Sequence, residues 1–512
     1  MKWPWPAFSN EFKEHARAFR LDMAASGSLF YCVSFTAGRV WRFPFDDELN
    51  ILSPPACCHS SIELLAYYLK GGDIHPPLSF LLFHALQQLG LDESGLRLCS
   101  LAMTALSLVL FHSIALILVA RRGDGDVPLA TRLVAVILFG LTPLAVGQGD
   151  AIRWYPVFAM LVSLFAVFYL FGGNSTTRLL AAIPLGLLAS TNYLAIFVFV
   201  PFVLYRYCLQ RQFSTPFDLV FGFVVLLFAS FGIVSAYSLF VTRLNGVTNE
   251  FSHNVVEALM TNVLGFFGGT ALGISQAWII VPVVIISAIA AFSEINRTRP
   301  ADPTHLLLLM LAATAPMMLF GFAKPRSFLY LAPIVGVLLT LYLDRHVRQR
   351  QNSRVILLAA LILAPSFSAA ANIDFGTHPF KRNSAIPYQN IIDFIAINES
   401  GDTLIVSTDP VIAWLLGQQH NQNDRCVSLF LDDRRCLRSD LHFDTIIVIA
   451  GHSDRSADAA AMGTFDKTLQ ELTTGRQKVA SVQIGVDKDA KLKSRLTGVS
   501  LEEYIVKVTL YK

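Results

Sequence analysis

Apolar runs long enough to cross a hydrocarbon core of about 30 Å recur along the chain at 21–42, 97–120, 132–149, 154–172, 178–191, 193–208, 218–241, 276–293, 305–322, 327–344 and 355–372. They predict about eleven membrane-spanning helices. The fifth and sixth are short and meet at Ser190-Thr191-Asn192, so they could also form one bent segment. Beyond residue 372 the spans stop. Strand-like runs at 403–407, 445–450, 480–485 and 504–510 then alternate with helix-like ones at 411–417 and 464–473, which predicts a small soluble α/β domain.

Charge sets the orientation. Residues 1–20 carry Lys2, Lys13, Arg17 and Arg20, with no small-residue cleavage site after the first apolar stretch, and read as a cytoplasmic tail. Placing that tail inside puts Arg121, Arg122, Arg132, Arg206, Arg211, Arg297, Arg299, Arg345, Arg348, Arg350 and Arg354 in inner loops, as the positive-inside rule requires. One segment tests this parse. His75-Pro76-Pro77-Leu78 opens an apolar run to Leu89 that carries His84, Gln87 and Gln88 and is short for a crossing. Counted as a span it would reverse everything downstream, so it is read as a helix lying along the outer interface. The expected organisation is a tail at 1–20, a transmembrane domain at 21–372 with a first outer loop at about 43–96, and an extracytoplasmic domain at 373–512.

Composition agrees with this class. Hydrophobic residues make up 54% of 512 positions and charged residues only 15%, a balance that soluble proteins of this length rarely have. A net charge of +3, without a basic run interleaved with aromatics, excludes nucleic acid as a partner. Cys426 and Cys436 lie in the outer domain, where they could pair or stay as two thiols; Cys57 and Cys58 have no metal-ligand spacing. No phosphate-binding glycine fingerprint is present, and Gly268-Gly269 read as loop or interface glycines.

The polar residues that interrupt the pattern gather on the outer side. Asp46, Asp47 and Glu48 follow the first span, with His59, Glu63, Asp73 and His75 in the same loop. Asp150, Arg153 and Tyr155 lie in the second outer loop, Arg243, Glu250 and His253 in the fourth, and Lys324 and Arg326 in the fifth. Carboxylates at a membrane rim are expensive to desolvate, so a run of three marks a candidate site, although a solvated loop can carry the same residues. His75 before two prolines can equally cap a helix, and Lys324 and Arg326 can be snorkelling cations. His112, in mid-span, reads as a core hydrogen-bonding residue. Carboxylates and cations on one membrane face suit a transferase with a lipid-anchored phosphosugar donor. The cations hold the departing phosphate, and a carboxylate takes the proton of the attacking hydroxyl.

The order of these motifs resembles the GT-C membrane glycosyltransferases that use polyprenyl-phosphate sugars, a superfamily that includes the protein O-mannosyltransferases and the lipid A aminoarabinose transferases. Phe45-Asp46-Asp47-Glu48 resembles the Asp-Glu motif of the first outer loop, and His75-Pro76-Pro77-Leu78 the basic-Pro-Pro element of its interfacial helix. Leu96-Arg97-Leu98 resembles the Arg opening the next span. The stretch from Gln148 to Tyr155 resembles the second-loop pattern, and the stretch from Lys324 to Tyr330 the late Arg element. The resemblance covers residues 20–345 and implies an all-α membrane domain of the GT-C fold. It also implies Asp47 as the catalytic carboxylate beside Asp46, and Asp150 as a second acid orienting acceptor or sugar. Glu48, His75, Arg153, Tyr155, Lys324 and Arg326 would bind phosphate and substrate. His75 stands where the aminoarabinose branch has Lys, and no sugar-binding repeat interrupts the fourth outer loop as in the eukaryotic O-mannosyltransferases.

The expected reaction is inverting transfer of a sugar from a polyprenyl-phosphate donor to a hydroxyl of a glycan, lipid or protein, in what the resemblance implies is a bacterial inner membrane. No spacing demands a cofactor, and a divalent metal is possible, since carboxylates and His75 could share one. The rival class is a polytopic transporter or a flippase of a lipid-linked saccharide. Coupled transport places ionisable groups near the midplane, whereas Asp22, Asp218, Glu294 and Asp344 sit at span ends. A third class, a receptor anchored by its spans, needs fewer of them.

Overall fold

The computed structural model describes residues 9–36, 48, 51–52, 60–69, 75–123, 125–243, 262–263, 266–267, 277–299, 302–319, 325–371, 388–398, 402–407, 416, 425–429, 443–450, 467, 469–484 and 506–512. Asp46, Asp47, Cys57, Cys58, His59, Asp73, Glu250, His253, Gly268, Gly269, Lys324 and Cys436 lie outside the described residues, as does the Arg243 side chain. The chain divides into two compact units, one formed by Met1–Val40 with Pro54–Phe375 and the other by Trp41–Ser53 with Gly376–Lys512.

The first unit is helical. Helices α1 (Asn10–Ala18), α2 (Arg20–Thr36), α3 (Ser61–Leu69), α4 (Leu78–Gln88) and α5 (Glu93–Arg122) are followed by α6 (Leu129–Gly140), α7 (Pro143–Gln148), α8 (Trp154–Phe171) and α9 (Ser175–Leu180). Then come α10 (Ala182–Thr191), α11 (Ile196–Val203), α12 (Thr215–Arg243), α13 (Ala277–Ile295), α14 (Thr304–Leu319), α15 (Leu331–Arg348) and α16 (Asn352–Ala371). Glu93–Arg122, Leu129–Gln148, Trp154–Phe171, Thr215–Ser238 and Trp278–Ile295 are long and apolar enough to cross a membrane. The other expected spans are present as shorter or charge-ended helices. Leu219, Phe223, Leu226, Trp278, Ile285 and Phe292 are exposed on α12 and α13, an apolar face of the kind that lipid covers.

Local chemistry explains the boundaries that matter for the site. The Asp92 side chain accepts from the Gly95 N–H at 2.8 Å and starts α5, a helix of 30 residues. Arg121 and Arg122 end it, where cations complement the helix dipole. Asn192 separates α10 from α11, its side chain accepting from the Leu194 N–H at 2.9 Å, so the fifth and sixth apolar runs are distinct helices. Ser190 donates to the Phe228 carbonyl at 2.7 Å, and Gly232 lets α12 come against α10 where a Cβ would strike the Ala189 carbonyl. His112 is fully buried, bonded to Ser26 at 2.9 Å and stacked on Phe139.

The second unit holds α17 (Tyr388–Asn398) and a five-stranded sheet of β1 (Thr403–Ser407), β2 (Arg425–Leu429), β3 (Thr445–Ala450), β4 (Lys478–Ile484) and β5 (Val506–Tyr511). Strand order is β2-β1-β3-β5-β4; β2 and β3 run parallel to β1, and β5 is antiparallel to both β3 and β4. Every residue of β1 is buried, as in a central parallel strand covered on both faces. Leu404, Val406, Ile446 and Val448 form one core. In the early segment that belongs to this unit, Glu48 and Ile51 are buried.

Candidate active site

The candidate site is built on the turn between α7 and α8. Gly149 donates to the Ala145 carbonyl at 2.7 Å, and Ala151 to the Gln148 carbonyl at 3.2 Å, which closes the turn. Thr104 of α5 donates its hydroxyl to the Gly149 carbonyl at 2.9 Å. A Cβ at Gly149 would lie 2.5 Å from the Ala145 carbonyl oxygen and 2.9 Å from Thr104 Cγ2, so only glycine lets the chain pass this close to α5.

That turn delivers Asp150 to a buried ion pair. Asp150 and Arg97 both have 0% exposure, and Arg97 Nη1 lies 3.6 Å from Asp150 Oδ2. Arg97 also donates to Glu93 Oε1, with Nη2 at 2.6 Å and Nε at 3.2 Å. One guanidinium therefore joins two carboxylates, which fixes Asp150 in place.

Arg153 sits at the N-terminal boundary of α8 in extended backbone and is 4% exposed. Its guanidinium lies 5.5 Å from the centre of the Phe80 ring of α4, a cation–π contact. Nε and Nη1 are buried without a hydrogen-bond partner among the described residues. An uncompensated buried charge costs several kcal/mol, and the N-terminus of α8 adds positive potential beside it. The pair is suited to an anion.

Around it, Arg326 lies over the Tyr155 ring at 5.6 Å, and Tyr155 packs against Trp154 at 4.5 Å between ring centres. The His75 ring is 5.9 Å from Trp154, and the Asn192 side-chain amide donates to His75 Nδ1 at 3.2 Å. Burial first, and then the Arg153 charge, lower the His75 pKa to about 3. The ring is therefore neutral at physiological pH and brings no charge to the site.

His75, Asp150, Arg153, Tyr155 and Arg326 thus come together in the helical unit, while Glu48 is buried in the other unit. Glu63 plays a structural part, forming a capping box with Ser60 at the start of α3, at 3.1 and 3.3 Å. Sequence reasoning missed Asn192 and Phe80 as site residues, and did not pair Arg97 with Asp150. Among the described residues no three His, Cys, Asp or Glu side chains gather to hold a metal ion.

No family model and no curated protein matches the chain. Among solved structures, the crystal structure of ArnT from Cupriavidus metallidurans in the apo state aligns with a TM-score of 0.54 at 12% identity, covering 96% of this chain and 98% of that one. The chain has the fold of ArnT. The structure of ArnT bound to undecaprenyl phosphate aligns over the same shares, at 12% identity and a TM-score of 0.49. The architecture expected from the motif order, an all-α membrane domain followed by a C-terminal α/β domain, is the one observed. At this identity the likeness to ArnT concerns architecture alone.

The neutral His75 carries a pH signature. Its folded pKa lies below the ordinary value of 6.5, so on acidification the unfolded chain takes up a proton that the folded chain refuses. Stability is expected to fall from about pH 6.5 towards about pH 3, where the folded ring also protonates. His75→Gln should flatten this loss, read as thermal unfolding in detergent at about pH 7 and about pH 5. Equal acid sensitivity in the two proteins would contradict the assignment.

Proposed function

We propose that this chain is an integral membrane glycosyltransferase that moves a sugar from a polyprenyl-phosphate donor to an acceptor hydroxyl on the extracytoplasmic face, with inversion. The observation that supports this reading most is Arg153, a buried guanidinium with two unpartnered nitrogens among the described residues at the start of α8, in a chain that has the fold of ArnT.

In this mechanism Asp47 takes the proton of the acceptor hydroxyl, and Asp46 is its neighbour. The new bond forms between the acceptor oxygen and the anomeric carbon as the bond from that carbon to the phosphate oxygen breaks. Its electron pair leaves with polyprenyl phosphate, so no general acid is needed. Arg153, with Lys324 and Arg326, offsets the charge that develops on the phosphate, while His75 and Tyr155 orient it and Asp150, held by Arg97, lines the sugar side. Such contacts are worth most where water is excluded. A transporter would place ionisable groups near the midplane, yet among the described residues of this unit the buried carboxylates Asp150, Glu294 and Asp344 lie in a turn or near helix ends.

The anomeric configuration of the product tests the mechanism. Donor and product should carry opposite configurations, because one displacement inverts the carbon. Retention would require a covalent glycosyl-enzyme intermediate and would exclude Asp47 acting as a base alone.

A further inference from the structure

A second charged site lies at the other end of the bundle. Arg97, beside Asp150, and Arg122 stand on the same helix α5, 25 positions or about 37 Å apart along its axis. Around Arg122 the ends of α13 and α15 and the start of α14 enclose a cleft of about 730 Å³.

The charges in this cleft do not balance. Five arginines line it against three carboxylates. Arg122 pairs with Glu294 at 2.6 Å and reaches Asp302 at 3.9 Å, and Arg348 pairs with Asp344 at 2.7 Å, which uses all three acids. Arg297, Arg299 and Arg345 are left without a carboxylate partner among the described residues. Arg345 donates to Ser293 Oγ at 3.1 Å, and its Nε is buried with no partner among them. Arginines at helix C-termini can serve the dipole alone. Here three of them converge on one cavity, and one has a buried unsatisfied nitrogen, which is the arrangement of an anion site. The volume suits a phospholipid headgroup.

We infer that this cleft binds a phosphate-bearing anion, through Arg297, Arg299 and Arg345, at the end of the helical unit opposite the candidate active site. Under the positive-inside orientation the cleft opens at the cytoplasmic leaflet, where anionic lipid is abundant. An acidic headgroup and soluble phosphate share this chemistry.

The test uses the full chain purified in neutral detergent, with dioleoylphosphatidylglycerol, dioleoylphosphatidylcholine and inorganic phosphate as probes. Phosphatidylglycerol is expected to bind wild type at least about tenfold more tightly than the R297Q/R299Q/R345Q variant, which lacks three cations that attract an acidic headgroup. Phosphatidylcholine should bind both alike. Failure of millimolar inorganic phosphate to compete identifies a lipid headgroup as the ligand, and full competition identifies soluble phosphate; both support the site. If the triple variant does not fold, R297Q/R299Q, which changes two exposed side chains, is read in the same way. Equal binding of phosphatidylglycerol to wild type and to the folded variant overturns the inference. The readout is binding, so it stands or falls separately from glycosyl transfer.

Discussion

Replacing Arg153 with Gln is expected to slow sugar transfer by about 10² to 10³-fold, the usual effect of losing a donor aimed at developing charge in a water-excluded site. Stability should move the other way. The guanidinium is buried and two of its nitrogens are unpartnered among the described residues, so without ligand the folded protein carries the cost of desolvating it. Gln removes the charge and keeps much of the stem that packs on Phe80, so the variant should unfold at the same temperature as wild type or above it. Arg153→Lys should recover part of the activity, since the charge returns without the fork that binds phosphate bidentately. Initial rates and thermal unfolding on the same preparations check this. A structural Arg153 would instead lower the unfolding temperature when replaced and leave the rate per folded molecule unchanged.

Arg97→Met is expected to destabilise the helical unit by about 3 to 5 kcal/mol, because it removes the cation of a buried ion pair. Arg97 is fully buried and joins Glu93 to Asp150, which is itself fully buried. Asp150→Asn in the Arg97→Met background should recover much of the loss, whereas two independent sites would simply add their costs. Denaturant unfolding of the wild type, the two single variants and the double variant measures the coupling. Additive losses would show that the 3.6 Å approach of Arg97 and Asp150 carries no net interaction.

The two buried arginines thus have opposite characters, and the sequence distinguished them only in part. Arg153 was legible because it interrupts a boundary between apolar runs beside Asp150 and Tyr155, where a charge must have a reason. The pairing of Arg97 with Asp150 was not, because its partner lies 53 positions away and no local pattern encodes that approach. The bond between Asn192 and His75 spans 117 positions; the sequence marked Asn192 only as a break between helices. Spans were legible because apolar length is a one-dimensional property, and β1 and β3 because buried parallel strands read as continuous apolar runs. The strand at Arg425–Leu429 was missed, since Arg-Cys-Val-Ser-Leu has too few apolar residues to stand out. That 41–53 groups with the C-terminal unit was also hidden, because a loop's sequence does not say which body it joins. Asp47 lies outside the described residues, so its place as the base rests on the motif, and a direct measurement of transfer tests it.

For that measurement the full chain is reconstituted in vesicles and offered a panel of polyprenyl-phosphate sugars with hydroxyl acceptors, and polyprenyl phosphate released is quantified together with glycosylated acceptor. At least one donor is expected to yield the two products mole for mole with wild type, and neither product with folded Asp47→Asn. No release from any donor by folded wild-type protein, or undiminished release by Asp47→Asn, would contradict the proposed transfer.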